Sequence, residues 1–457
     1  MTTTVLVPSG VLGLGFSQAA LERGIAQGCD VIAIDGGSTD SGPHSLGTGL
    51  SKYSRAVCKA EWCALMQARA KLGVPLIIGT AGTSGTDSTV DWMYEITCEL
   101  AAELAQTLRV ARLYSGQDAG FVISKLAAGQ VTPLSPAPEI DAERLRAMTN
   151  IVALAGAEQV QAALETGADI IIAGRTTDTA IIAALPLARG EHPGACWHGA
   201  KIAECGALCS THPGTGVIRV TFDESGFEVE PMAPEAACTP HSVSAHMLYE
   251  NSDPFRLYEP GGYLDVSAAH YKALNGRRVR VEGSDWVSGR YTVKLEGARL
   301  VGYQTMLLAI LREGHYVANA QTWADKLVSV LSARAAEQIG LATGDFSIEL
   351  RLIGVSAAMG ALETRESQPA EVGALCLITA RDQAMADEIG RLANPFLLHM
   401  PLTEDEPLPT FAFPYSPAQT SRGAVYEFAL NHVMGLDTPM EAFRLELSEV
   451  GTRADVA

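Results

Sequence analysis

At 457 residues the chain is longer than one hydrophobic core usually serves, so two or three domains are expected. Apolar residues at 47% and charged residues at 19% are the composition of an ordinary globular protein with ample material for a core. A net charge of −19 argues against nucleic acid or an anionic membrane surface as partner, but leaves room for an anionic substrate at a locally positive site.

Residues 1–190 alternate strand and helix signals. Apolar β-type runs fall at residues 5–7, 31–34, 76–78, 110–113, 151–154 and 170–173. Helical patterns lie between them, at about 17–28, 54–72, 88–107, 141–147, 157–167 and 177–188. Such a βαβ series predicts an α/β fold: a mostly parallel open sheet with helices on both faces, followed by a smaller α+β domain. Six strands rather than eight favour the open sheet over a closed barrel.

Nearly every predicted strand end carries glycine or polar chemistry. The first run leads into Pro8-Ser-Gly-Val-Leu-Gly-Leu-Gly15, and the second into Asp35-Gly-Gly-Ser-Thr-Asp-Ser-Gly-Pro-His-Ser-Leu-Gly-Thr-Gly49. Gly79-Thr-Ala-Gly-Thr-Ser-Gly-Thr-Asp87, Ser115-Gly-Gln-Asp118 and Gly174-Arg-Thr-Thr-Asp178 follow later runs. The loop from Asp35 holds five glycines, two aspartates and five hydroxyl side chains in fifteen residues, with almost nothing to bury. Alone it is a long surface turn. Together, such loops should meet on one rim of a parallel sheet, where open α/β folds bind ligands. Gly10, Gly13 and Gly15 do not have dinucleotide spacing, and no loop carries Gly-Lys-Ser/Thr, so there is no NAD, FAD or PLP signature.

From residue 191 the texture changes. His192, Cys196, His198, Cys205, Cys209 and His212 crowd together at irregular spacings without C-x-x-C, which suits buried thiols and ordinary histidines better than a structural zinc. Glu204-Cys205-Gly206 is the piece to watch for reactivity. A strand pair follows at 216–222 and 227–231, then a helix over 242–250 with Thr239 as cap and Pro240 at its first position. On that helix His246 and Glu250 are four apart and share a face, as an acid/base pair would, although a packed core histidine is the plainer alternative. Residues 276–302 look like β structure and 301–312 like a buried helix. A helix (321–338), two strands (346–353 and 374–379), a helix (382–392), an extended linker (407–414), a helix (424–433) and a last strand (442–447) complete the chain. The domains expected are 1–190, 191–320 and 321–457. The nine cysteines, an odd and scattered set, and the absence of a basic n-region or long apolar span predict reduced thiols in a cytoplasmic protein.

Several of these segments together resemble the acyclic terpene utilisation AtuA-like family, formerly a domain of unknown function. They are the Asp35–Gly47 loop, Ala168-Asp-Ile-Ile-Ile-Ala-Gly-Arg-Thr-Thr-Asp178, Lys201-Ile-Ala-Glu-Cys-Gly-Ala207, and the run from Cys238 through His246 and Glu250 to Pro254, with Gly262-Tyr-Leu-Asp265. The resemblance covers about 1–320. It implies a cytoplasmic role in breaking down branched or carboxylated small molecules, in the setting of geraniol and citronellol catabolism. His44 stands where the motif is associated with an aromatic residue, which implies a different substrate preference.

The pattern points to an enzyme acting on a small carboxylate or its acyl thioester by lyase, hydratase or isomerase chemistry without a redox cofactor. Asp35, Asp40, Cys205, His246 and Glu250 are the catalytic candidates. Ser38, Thr39, Gly82, Ser84, Arg175 and Asp178 are the substrate-binding candidates, Arg175 as a carboxylate clamp and the amides near Gly82 as an oxyanion site. Arg175 also has a structural alternative, an ion pair with Asp178, and Asp40 and Asp87 could merely cap. A second version adds a divalent metal on Asp35, Asp40 and Asp87. The alternative from another class is a non-catalytic binding or assembly subunit of a catabolic operon. A homo-oligomer is the expected assembly, with neither nucleic acid nor membrane as partner.

Overall fold

A computed structural model describes residues 2–342, 344–365 and 368–451. The chain divides into two compact units, Met1–Arg299 with Phe428–Ala457, and Leu300–Glu427.

In the first unit, Thr3–Val7, Val31–Asp35, Leu76–Gly79, Ile170–Ala173 and Leu108–Tyr114 pair in parallel, in that spatial order. They are near-continuous apolar runs because helices bury the sheet on both sides. Val5, Val7, Ala33, Ile77 and Ile171 face helices Ala157–Glu165, Ala180–Ala188 and Pro193–Ala203. Leu6, Ile32, Ile34, Ile78 and Ile172 face Gln18–Gln27, Arg55–Leu72 and Asp87–Glu103. The α/β expectation holds at this level, but the sheet is mixed rather than mostly parallel. Ile218–Phe222, Gly226–Pro231, Val279–Glu282 and His270–Ala273 extend it antiparallel beyond Thr3–Val7, and Arg444–Val450 closes the other edge against Leu108–Tyr114. Residues 151–154 lie outside this sheet: Met148–Ala153 pairs antiparallel with the start of Thr292–Leu311. A short buried apolar run looks the same in either pairing. A small sheet of Arg256–Glu259, Gly262–Asp265 and Asp285–Ser288 completes the unit.

The second unit is α+β. The later part of Thr292–Leu311 pairs with Val372–Ala380, which pairs with Phe346–Ile353. Helices Ala320–Arg334 and Gln383–His399 contribute Trp323, Leu327, Ile389 and Leu397 to its core, together with Ile378 and Phe411. Two expected helices are strands: residues 301–312 belong to Thr292–Leu311, and residues 424–433 to Gln419–Gly435. Residues 306–311 are mostly Met, Leu and Ala, whose helical preference is overridden by strand pairing, whereas residues 424–433 include the strand formers Val425, Tyr426, Phe428 and Val433. Among the described residues no helix is long and apolar enough to cross a membrane.

Candidate active site

The site lies where the connections change sides. After Leu76–Gly79 the chain passes to Asp87–Glu103 on one face, and after Ile170–Ala173 to Ala180–Ala188 on the other. The carboxyl ends of these neighbouring strands are therefore a topological switch point, where such sheets place their ligand site. The two loops are stitched across it: Thr80 N–H donates to Gly174 O at 2.8 Å and Arg175 N–H to Gly85 O at 3.1 Å. Gly85 has to be glycine, since its φ is +62° and a Cβ there would lie 2.2 Å from Arg175 N.

Arg175 is buried, and its guanidinium spans Glu296, with Nε to Oε2 at 3.0 Å and Nη2 to Oε1 at 3.4 Å, while Nη1 donates to Thr80 Oγ1 at 3.3 Å. Thr39 Oγ1 and Lys294 Nζ also donate to Glu296, at 3.1 and 2.9 Å. Although burial opposes it, this cationic company holds the Glu296 carboxyl down to about 2. The partner of Arg175 is thus Glu296, while Asp178 acts on it only as a neighbouring charge.

Around this fixed pair sit carboxyls of the opposite character. Asp35, 3% exposed, uses Oδ2 to accept from Gly37 N–H at 3.0 Å, and its Oδ1 is buried without a hydrogen-bond partner. Burial and the charge of Asp178 hold it well above the usual carboxylate range. Burial likewise lifts Asp178 to about 6, Glu259 to about 7 and Glu204 to about 8, the last against the pull of Lys201. Lys201 Nζ donates to the buried Glu204 carboxyl, and also to Tyr249 O at 2.7 Å. Thr179 Oγ1 donates to Glu259 Oε1, leaving Glu259 Oε2 unpartnered. Four interacting carboxyls whose ionised forms are penalised by burial, with Arg175 and Lys201 as the nearby positive charges, titrate as a coupled set that can give and take protons.

The backbone is strained here as well. Of the four non-glycine residues with positive φ among the described residues, Thr80 (43°), Thr83 (85°) and Glu250 (51°) border this cluster and only Ala105 lies elsewhere.

Each sequence candidate has a definite place. Asp35, Thr39, Arg175 and Asp178 come together, and Asp40 is exposed at a cavity of about 370 Å³ lined also by Arg175, Glu296 and Lys294. Ser38 accepts from Asp40 N–H at 3.1 Å as a turn cap. Ser84 donates to Ser45 O at 3.2 Å beneath the loop, and a Cβ on Gly82 would meet Thr89. Cys205 sits beside Glu204 and Tyr249, and burial pushes its thiol up to about 12, so it is protonated and poorly nucleophilic. The helix expected over 242–250 stops earlier, as Pro240–Ala245 followed by a 3₁₀ turn His246–Leu248, so Glu250 does not share a helix face with His246. His246 stacks on Tyr249 at 5.1 Å, its Nε2 lacks a partner, and burial with Lys201 nearby lowers it to about 4. Asp87 is elsewhere, accepting from Gly116 N–H at 3.0 Å and facing Arg444 at 3.3 Å. Among the described residues no three His, Cys, Asp or Glu side chains are placed to hold a metal ion, so Asp35, Asp40 and Asp87 do not make one centre.

Glu296, Glu259, Lys201 and Thr80 were not among the sequence candidates. The usable signal for Glu296 was a carboxylate within Val293-Lys-Leu-Glu-Gly-Ala298, otherwise apolar but for Lys294. A second cavity, of about 430 Å³, adjoins Glu259 and Thr177 and is walled largely by Leu134, Leu154, Pro260 and Val433.

Fold and site together define a mixed α/β protein with a buried acid–base cluster at the switch point of its sheet. The chain belongs to the acyclic terpene utilisation family AtuA, whose family model matches residues 56–191 and 211–410. The match takes in Arg175, Asp178, Glu259 and Glu296, whereas Asp35 and the Lys201–Glu204 pair lie outside its segments. No curated protein and no solved structure matches the chain.

Proposed function

We propose that the protein is an acid–base enzyme of acyclic terpene breakdown, acting on a branched or carboxylated acyl compound, free or as a thioester, by isomerase, hydratase or lyase chemistry. The observation that carries this is the unpartnered Oδ1 of Asp35, buried in a crevice beside Asp178, a second carboxyl held above its ordinary range. Two such carboxyls share protons unequally: one is ionised and takes a proton from the carbon next to the acyl carbonyl, and the other, still protonated, returns one to the resulting enolate. The Arg175–Glu296 pair holds the crevice in shape rather than binding substrate.

The test is incubation of the protein in D₂O with branched carboxylic acids and their coenzyme A thioesters, read by NMR. Deuterium should enter next to the carbonyl, or water should add, and Asp35→Asn should slow this by roughly 10²–10⁴-fold while melting like wild type. A folded wild type that neither exchanges nor turns over any member of the series would remove the proposal.

A further inference from the structure

The cavity beside Glu259 is lined by two unlike polar groups. One is Glu259, 8% exposed, with one carboxyl oxygen held by Thr179 and the other, Oε2, buried and unpartnered. Its apolar lining includes Leu134, Leu154, Pro260 and Val433, with Tyr258 and Tyr263 beside them. The other polar group is the exposed Arg290, packed so closely on Gly435 that a Cβ there would lie 2.5 Å from Nη2. Among the described residues Arg290 has no ion pair and no side-chain hydrogen bond, in a protein of net charge −19 where carboxylates are plentiful. The cavity's other cation, Lys294, is already bound to Glu296 at 2.9 Å. Arg175, which lines the neighbouring cavity, is likewise committed to Glu296, whereas Arg290 is left to meet a ligand.

A volume of about 430 Å³ falls within the range of small-molecule sites. Its largely apolar wall favours hydrocarbon, the buried carboxyl favours a neutral oxygen it can hydrogen-bond, and the guanidinium favours an anion. We propose that this cavity binds an acyl compound with a functional group at each end, its carbonyl oxygen at Glu259, its hydrocarbon middle between Leu154 and Val433, and a terminal carboxylate on Arg290. Glu259 adjoins Asp178 and Glu204 electrostatically, so a carbonyl bound by Glu259 is next to the acid–base cluster, and the anionic group on Arg290 is the specificity handle. The inference rests on the acyl-substrate reading above and specifies which acyl compounds fit.

Binding is measured by calorimetry with monomethyl esters of straight-chain diacids of increasing length, and with the corresponding dimethyl esters, which lack the anion. The monoesters should bind with an optimum at one chain length, at least about tenfold tighter than the diesters. Arg290→Met, at an exposed position whose loss should not unfold the protein, should bring monoester affinity down to that of the diester and leave the diester unchanged. Glu259→Met, which removes the donor, should weaken both ester types together, with its melting temperature confirming the fold. Equal binding of monoester and diester, or monoester binding unchanged in Arg290→Met, would overturn the proposal. Asp35→Asn separates the two ideas. If it binds monoesters normally while wild type shows no exchange in D₂O, the reaction is wrong and the binding site stands. If wild type exchanges deuterium but monoester binding does not depend on Arg290, the reaction stands and the binding site is wrong.

Discussion

Arg175 illustrates how a residue can be placed correctly and still do a different job from the one its type suggests. At the end of a strand, in a polar loop, it is an obvious clamp for a substrate carboxylate. The carboxylate it holds is the protein's own, Glu296, contributed 121 residues later. With side chains 8% and 5% exposed, this is a buried pair, and removing one partner strands the other. Arg175→Ala should therefore lower the unfolding free energy by about 3–5 kcal/mol in chemical denaturation. Arg175→Lys should recover little, because an ammonium cannot make the two-toothed contact. Loss of ligand binding in Arg175→Ala would consequently say little about the substrate, and Asp35→Asn is the better probe. Glu204 gives a pH prediction. Its carboxyl, ordinarily near 4.5, is lifted to about 8 in the folded protein by burial. The folded state thus holds a proton that the unfolded state has lost, so this group's stabilisation is complete below about 4.5 and disappears as pH rises through about 8. Melting temperatures at pH 5.5 and 8.5 should fall less steeply for Glu204→Gln than for wild type. A parallel fall would show that Glu204 is not the titrating group. Asp35, Arg175 and Asp178 were legible in the sequence because the ends of parallel strands must share a rim. Glu296 was not, since it reaches the cluster through a pairing between segments far apart in the chain, and Glu259 was not, since it sits in a short local hairpin that does not reveal what its side chain faces.

At the level of elements, the crevice is shaped by how tightly its loops interlock. Gly85 is pressed on the backbone at Arg175, and Gly37, at φ +131°, would put a Cβ 2.7 Å from Thr83 Cα. Gly85→Ala should destabilise by about 1–3 kcal/mol through strain and overpacking, and should also shift the amide NMR signals of residues 174–178. Destabilisation without changes at that loop would mean the two turns are not coupled. The parallel strands could be recognised beforehand because each is a compact apolar run between glycine-rich turns. Residues 301–312 and 424–433 could not, since Met306-Leu-Leu-Ala-Ile-Leu311 carries no alternation of polar and apolar side chains to choose strand over helix.

At the scale of the whole molecule, Leu300–Glu427 is a continuous segment with its own buried core of Trp323, Leu327, Ile378 and Leu397. A unit of that kind is expected to fold alone. Residues 300–427 expressed separately should melt cooperatively by circular dichroism, and a broad, non-cooperative transition would refute that autonomy. All the residues of the acid–base cluster belong to the other unit.

That other unit is assembled from segments on either side of Leu300–Glu427, and this has a consequence for biosynthesis. Arg444–Val450 supplies the strand that covers Leu108–Tyr114 at the sheet's edge, through seven residue pairs. During translation the unit that carries the cluster must wait, with one margin of its sheet unpaired, until residues 444–450 have cleared the ribosome. Termination ahead of residue 444 would release a chain with its cluster residues present and a sticky open edge. Cellular quality control would then meet this protein chiefly as an aggregation problem.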